Sequence, residues 1–201
     1  QPLDYSLGIS QASNLILGSE LSENFSTTSD ETKSNFKIWI QGDNNDSNYF
    51  EDLDKNLDDL SADKPEVDYK ITNDDDALYI YTSGTTGNPK AATISHKRLR
   101  LMMMGFKGAI QPNKNDRVYN VLPLYHSAGG VIAVGLALTS GASLVLKRKF
   151  SVNEFWDDVH KYKVTIFQYI GELCRYLLNA PYHKHEKDHN LRMVSGNGLR
   201  P

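Results

Sequence analysis

The sequence predicts an α/β protein built on a largely parallel sheet. Two observations carry that prediction. From residue 77 onward, short apolar runs alternate with helix-length segments, the pattern that strand–helix–strand units leave in a chain. The 201 residues are 39% hydrophobic, enough to bury a core as one domain or one large subdomain.

Taken in order, Asn14-Leu15-Ile16-Leu17 and Phe36-Lys37-Ile38-Trp39-Ile40 read as short strands. Residues 47–60 place Tyr49, Phe50, Leu53, Leu57 and Leu60 at helical spacing and predict an amphipathic helix. Residues 61–76, with Pro65 and Asn73-Asp74-Asp75-Asp76, read as a linker. One strand ends at Thr82 and another spans 90–94. Ser95 caps a helix running to about Ile110, and Arg117–Leu122 is a strand. Ala128 to Leu146 is uncharged and nearly long enough for a membrane span. Its four glycines and the Thr139-Ser140-Gly141 turn instead predict a buried helix followed by a core strand. Ser151-Val152-Asn153-Glu154 has the form of a capping box opening a helix to about Tyr162. Lys163–Gln168 is a strand, Gly171–Asn179 a helix stopped by Pro181, and Leu191–Ser195 a last strand.

Charge divides the chain. Residues 1–76 hold 18 of the 25 acidic residues and 5 of the 22 basic ones; residues 77–201 hold the rest and all six histidines. The boundary separates an acidic peripheral part with its linker, 1–76, from a core part, 77–201. The basic excess suits an anionic small ligand. The basic residues are scattered, which argues against nucleic acid. A single cysteine, Cys174, excludes an internal disulfide framework and a cysteine-type zinc site. Cys174 reads as a packed helix residue, not a nucleophile. His183-x-His185 and His189 lie among charged residues after Pro181, so an exposed polar loop is expected and no metal site.

The densest chemistry lies in Tyr79-Ile80-Tyr81-Thr82-Ser83-Gly84-Thr85-Thr86-Gly87-Asn88-Pro89-Lys90. Thr82, Ser83, Thr85 and Thr86 offer neutral donors, Gly84 and Gly87 let the backbone approach a ligand, and Lys90 adds a point charge. The glycine spacing and Ala91 exclude a Walker A loop. A bare Gly-Thr-Thr-Gly also suits an unliganded hairpin. The full run predicts a strand–loop–strand phosphate clamp.

The segment from Tyr81 to Lys90 closely resembles the phosphate-binding signature of adenylate-forming (AMP-binding) enzymes. Leu122-Pro123-Leu124-Tyr125-His126-Ser127-Ala128-Gly129-Gly130 is similar to the second conserved block of that superfamily. Gln168 to Leu178 and Gly196-Asn197-Gly198-Leu199-Arg200-Pro201 resemble its fatty acid transport protein branch, the very-long-chain acyl-CoA synthetases. The resemblance is dense from about residue 77 onward. It implies part of the N-terminal domain of such an enzyme, truncated before the magnesium block and the C-terminal domain.

What the resemblance implies is specific. The parent reaction joins a fatty acid to CoA at the expense of ATP, through an acyl-adenylate. Thr82, Ser83, Gly84, Thr85, Thr86, Gly87 and Lys90 would hold the β- and γ-phosphates. Gly196, Asn197, Gly198 and Leu199 would line the adenine, with the glycines baring backbone to the purine. Tyr125, His126, Gly171 and Glu172 are candidates for the acyl pocket, and His126 for a gate at the carboxylate entrance. A general-base role for His126 is disfavoured because carboxylates are already ionised at neutral pH. Relatives continue with a Tyr-Gly-x-Thr-Glu block that binds Mg2+, a ribose-binding aspartate and a catalytic lysine; none occurs here, so no complete catalytic set and no activity alone are expected. Fatty acid, ATP and CoA are the implied partners, at a membrane of the endoplasmic reticulum, peroxisome or cell surface reached through segments outside this chain. A ligase for a bile acid or another acid, and an inactive lipid-binding or scaffold protein, remain open as alternatives.

Overall fold

The structure is a computed structural model and describes residues 2–43, 50–82 and 89–199. The chain divides into two units, Gln1–Ile71 with Tyr81–Ala92, and Thr72–Ile80 with Thr93–Pro201.

The first unit opens with helix α1 (Pro2–Ser10), followed by β1 (Asn14–Gly18), the short helices α2 (Ser22–Ser26) and α3 (Asp30–Ser34), β2 (Lys37–Gln41), β3 (Glu51–Asp52) and α4 (Leu53–Asp58). The three strands form a parallel sheet in the order β1-β2-β3, with Leu15 opposite Ile38 and Leu17 opposite Ile40. Leu17, Phe25 and Ile38 are buried at its centre, packed by Leu7, Leu15, Phe36 and Phe50. The acidic first third thus encloses its own small core. Ser29 caps α3 by accepting from the Thr32 amide, and its own amide donates to Asp4 Oδ1 at 2.8 Å.

The amphipathic helix expected over 47–60 is shorter than its apolar spacing suggests. Phe50 turns toward Phe25, with ring centroids 6.2 Å apart, and residues 51–52 pair with β2. Asp52 then caps α4 through the Lys55 amide. Residues 44–49 lie outside the described residues, and residues 59–75 form no helix or strand.

β4 (Asp76–Thr82) and β5 (Lys90–Ser95) form a two-stranded sheet flanking the glycine-rich run. α5 (His96–Ile110) follows at once, capped by Ser95, whose hydroxyl accepts from the Arg98 amide. Then come β6 (Arg117–Asn120), a π-helix over Ser127–Ala133 continuing as α6 (Val134–Ser140), β7 (Ser143–Leu146), α7 (Val152–Lys161), β8 (Ile166–Ile170), α8 (Gly171–Leu178), a 3₁₀ turn over Lys184–Lys187 and β9 (Met193–Asn197). The second unit's sheet is parallel throughout, in the order β7-β6-β8-β9.

Side-chain alternation along this sheet makes two cores. Val118 and Ile166 face α5, the π-helix and α6, where Ile110, Ile132, Ala133 and Leu136 are buried. Tyr119, Phe167 and Tyr169 face α7 and α8, where Phe155, Val159 and Leu173 are buried. Strands covered on both faces are what a parallel sheet requires. The uncharged stretch 128–146 is the helix and strand predicted, with the αL turn at Gly141 between them. Gly135 lies against Met103 so closely that a β-carbon would collide, which lets α6 settle on α5.

Four boundary expectations change. β6 ends at Asn120 because Asn120 Oδ1 accepts from the Leu122 amide and turns the chain. β8 starts later, at Ile166, because Lys163 holds a left-handed turn at φ 51°. The capping box at Ser151 does not form: Ser151 makes no side-chain cap, and Glu154 pairs instead with Lys147 at 3.2 Å. A capping box forms at His183 and Glu186 instead, in a segment expected to be an exposed loop. His183 and His185 are half-buried against α7, and burial is the first cause lowering the His185 pKa below its usual value.

Polar interactions lock the layers together. The Tyr119 hydroxyl donates to Asp158 Oδ2 at 2.7 Å, and Lys147 Nζ meets the same oxygen at 2.8 Å, joining β6, α7 and the end of β7. At the opposite edge, buried Asp116 accepts from Arg192 Nε at 2.9 Å and from Thr165 Oγ1 at 2.8 Å. The Arg192 hydrogen bond, reinforced by Asn113 and Thr165, lowers the Asp116 pKa from 3.8 to about 2. A depressed carboxylate pKa stabilises the fold above the unfolded value, and that contribution is lost as pH falls through the folded value. Asp116→Asn should therefore cost about 2–3 kcal/mol at neutral pH and flatten the loss of stability between about pH 4 and 2. Urea denaturation across that range measures both.

Candidate functional site

The second unit's sheet has a topological switch point. From β6 the chain moves outward to β7, then returns across to β8 and continues to β9. Strand order reverses between β6 and β8, and in open α/β sheets ligands bind beyond the carboxyl ends of the strands at such a crevice. Three separated motifs arrive at that edge: Tyr125 and His126 after β6, Gly171 and Glu172 after β8, and Gly196–Leu199 at the end of β9.

Each is positioned by local chemistry. Asn120 turns the chain out of β6, and the His126 amide bonds the Pro123 carbonyl at 3.1 Å. The His126 carbonyl accepts from the Gly130 amide at 2.8 Å, opening the π-helix. β-Carbons at Gly129 and Gly130 would collide with the carbonyls of residues 122–124, so these glycines let the block fold tightly on itself. The π-helix packs on β6 and β8. Tyr125 and His126 are exposed, with ring centroids 4.7 Å apart.

The β8–β9 end is a close backbone contact. A β-carbon on Gly171 would strike the Gly198 carbonyl oxygen, and one on Gly196 would strike the Tyr169 carbonyl oxygen. Gly198 itself has φ 77°. Close packing of chain on chain thus calls for glycine at 171 and 196, and the left-handed backbone favours it at 198, whatever ligand the edge receives. Gly171 is buried; Glu172 is exposed and pairs with Arg175 one turn along α8. Cys174 is half-buried in α8 beside the core, and burial raises its thiol pKa. Arg200 and Pro201 lie outside the described residues.

Sequence reasoning missed two residues at this edge. Asn120 and Gln168 are 0% and 2% exposed and face each other in register across the switch point. Asn120 Nδ2 and Gln168 Oε1 find no hydrogen-bond partner among the described residues. A buried unpaired donor and acceptor each cost about 1–3 kcal/mol. Gln168 opens a stretch quoted in the sequence reading; only the strand register reveals its pairing with Asn120.

The segment expected to form the clamp, Thr82 to Lys90, belongs to the first unit. β4 and β5 flank it as predicted, and Thr82 Oγ1 donates to the Lys90 carbonyl at 3.3 Å. Tyr81 Oη donates to the Ser6 carbonyl at 3.0 Å, anchoring the end of β4 to α1. Thr82 and Lys90 are exposed. Ser83, Gly84, Thr85, Thr86 and Gly87 lie outside the described residues.

Known proteins are similar to this chain in sequence and in fold. The chain is 40% identical over 205 residues to long-chain fatty acid transport protein 1 of Rattus norvegicus, covering 100% of this chain and 32% of that protein. It is 53% identical over 127 residues to long-chain fatty acid transport protein 3 of Mus musculus, covering 63% of this chain and 19% of that protein. The chain thus spans a third or less of the length of these curated relatives. Among solved structures, the N-terminal domain of FACL13 from Mycobacterium tuberculosis superposes with a TM-score of 0.80 at 22% identity, over 96% of this chain and 46% of that one. ATP-bound MatB from Rhodopseudomonas palustris superposes at 0.78 and 19% identity, over 96% and 37%. At these identities the superpositions establish the fold. The family model described as AMP-binding enzyme matches residues 2–201, and the chain belongs to that family.

Proposed function

We propose that the natural protein is an ATP-dependent ligase that joins long-chain or very-long-chain fatty acids to CoA and couples this activation to fatty acid uptake. The observation that carries the reading is the arrival of the His126, Gly171 and Gly196–Leu199 motifs, with the unpaired Asn120 and Gln168, at one switch-point edge. It is supported by relatives named long-chain fatty acid transport proteins, and by the fold shared with a Mycobacterium tuberculosis fatty acyl CoA synthetase at a TM-score of 0.80.

In this reading the fatty acid carboxylate attacks the α-phosphorus of ATP, and pyrophosphate leaves. No general base is needed, since the carboxylate is ionised at neutral pH. The hydroxyls and amides of 82–87, with Lys90, stabilise charge that grows on the departing pyrophosphate. The Gly196–Leu199 turn lies against the adenine, and Tyr125 and His126 border the entrance for the acid. Asn120 and Gln168 hold the polar end of the acid or the nucleotide, keeping the reacting groups oriented. The CoA thiolate then displaces AMP from the acyl-adenylate. Mg2+ supplies further positive charge to the phosphates when bound. Association with a membrane belongs to the same proposal; among the described residues no helix is long and apolar enough to cross one.

Two measurements test it. In the full natural protein, Lys90→Ala combined with Thr85→Ala should lower oleate-dependent pyrophosphate release by about 100-fold or more; undiminished release would sink the clamp assignment. Gln168→Met should leave the stability of the free protein unchanged or raise it by about 1 kcal/mol, while weakening the binding of a non-hydrolysable acyl-adenylate analogue. Unaltered analogue affinity in calorimetry would remove Gln168 from the site.

A further inference from the structure

Away from the strand-end edge, a second group of side chains converges with no part in the ligase chemistry. α7 carries Asp157 and His160 one turn apart, and the 3₁₀ segment packs on that helix, bringing His183, His185 and Asp188 to them. One ligand atom from each of His160, His185 and Asp188 lies within 4.8 Å of the other two. Asp188 Oδ2 stands 3.5 Å from His160 Nδ1 and 3.8 Å from His185 Nδ1. The edges of a tetrahedral zinc site are about 3.3 Å long, given bonds of about 2.0–2.1 Å, so these spans are close to closure. On the far side of the His185 ring, Nε2 faces Asp157 Oδ1 at 3.7 Å. That span is an ion-pair distance and longer than a hydrogen bond; an outer carboxylate that closes it would fix the tautomer of a ligating histidine.

We propose that His160, His185 and Asp188 form a site for one divalent transition-metal ion of the zinc class, with a fourth position left to water. Two imidazoles and one carboxylate suit such an ion better than Mg2+ or Ca2+, which take oxygen ligands. The two rings are stacked, with centroids 3.8 Å apart and planes 16° from parallel. In-plane lone pairs of stacked rings do not meet at one point, so loading tilts one ring out of the stack. His160 Nδ1 exchanges its contact with the Asp188 carbonyl oxygen, 3.0 Å away, for the ion. The bound ion pins the 183–189 segment to α7 and stabilises the folded chain by mass action.

The test uses the untagged full natural chain, stripped with a chelator and titrated with Zn2+ by calorimetry and with Co2+ by visible absorption. Saturation at one equivalent, with the absorption bands of tetrahedral Co2+, is expected. Affinity should fall at least about tenfold in His185→Gln and in Asp188→Asn. It should hold in His189→Gln, whose ring stacks on Trp156 outside the three ligands. Circular dichroism of the metal-free variants checks that each folds; Asp188 is exposed, so Asp188→Asn carries the test if His185→Gln fails that check. Absence of saturable binding, or the same affinity in Asp188→Asn as in the unsubstituted chain, overturns the proposal.

Discussion

The larger sheet hangs on one carboxylate. Asp116 stands just before β6; its side chain takes hydrogen bonds from Thr165, just before β8, and from Arg192, just before β9. Its carbonyl accepts from the Ser143 amide at the start of β7. One residue thereby touches the amino-terminal ends of all four strands in this sheet and sets their stagger. Burial alone would make such a charge costly; Arg192, the Asn113 amide and the Thr165 hydroxyl compensate it. A sheet aligned at one edge delivers its loops in register at the other.

That opposite edge is where satisfaction of polar groups gives way. Asp116 has its lone pairs filled, whereas Asn120, four residues along, and its neighbour Gln168 each keep an unpaired atom. The contrast divides the sheet into an end whose buried polar groups are paired and an end where, among the described residues, two are not. At the second of these ends, Gly171 and Gly196 bring the chain after β8 and the end of β9 into close backbone contact. The edge is therefore shaped by backbone proximity, and side chains of the β6 loop, Tyr125 and His126, supply its exposed aromatic surface.

Local sequence was a good guide wherever local physics decides structure. The Ser95 hydroxyl caps α5 and Gly141, free to turn left-handed, ends α6, and the strands around 82–90 begin and end close to where apolar runs meet glycine and proline. Local sequence misled where a distant partner competed. Ser151-x-x-Glu154 has the spacing of a capping box, but Lys147 takes the glutamate. Residues 47–60 have helical spacing, but Phe50 finds Phe25 and the strand β2. The histidines after Pro181 look solvated until α7, more than 20 residues earlier, contributes His160 and Asp157 to face them.

By itself the sequence determined the α/β class, the order of most elements and the motifs that mark the family, because these follow from periodicity, caps and short contiguous signatures. Only the tertiary structure decided the strand order β7-β6-β8-β9, and with it the switch point that seats Asn120 beside Gln168. It alone also gathered Asp116, Thr165 and Arg192 at one edge, and His160, His185 and Asp188 on one helix face. The physical reason is common to all three. Each depends on groups separated by about 25 to 76 residues, and no local pattern encodes their meeting; at Asp116 the charge is compensated only once Arg192 arrives.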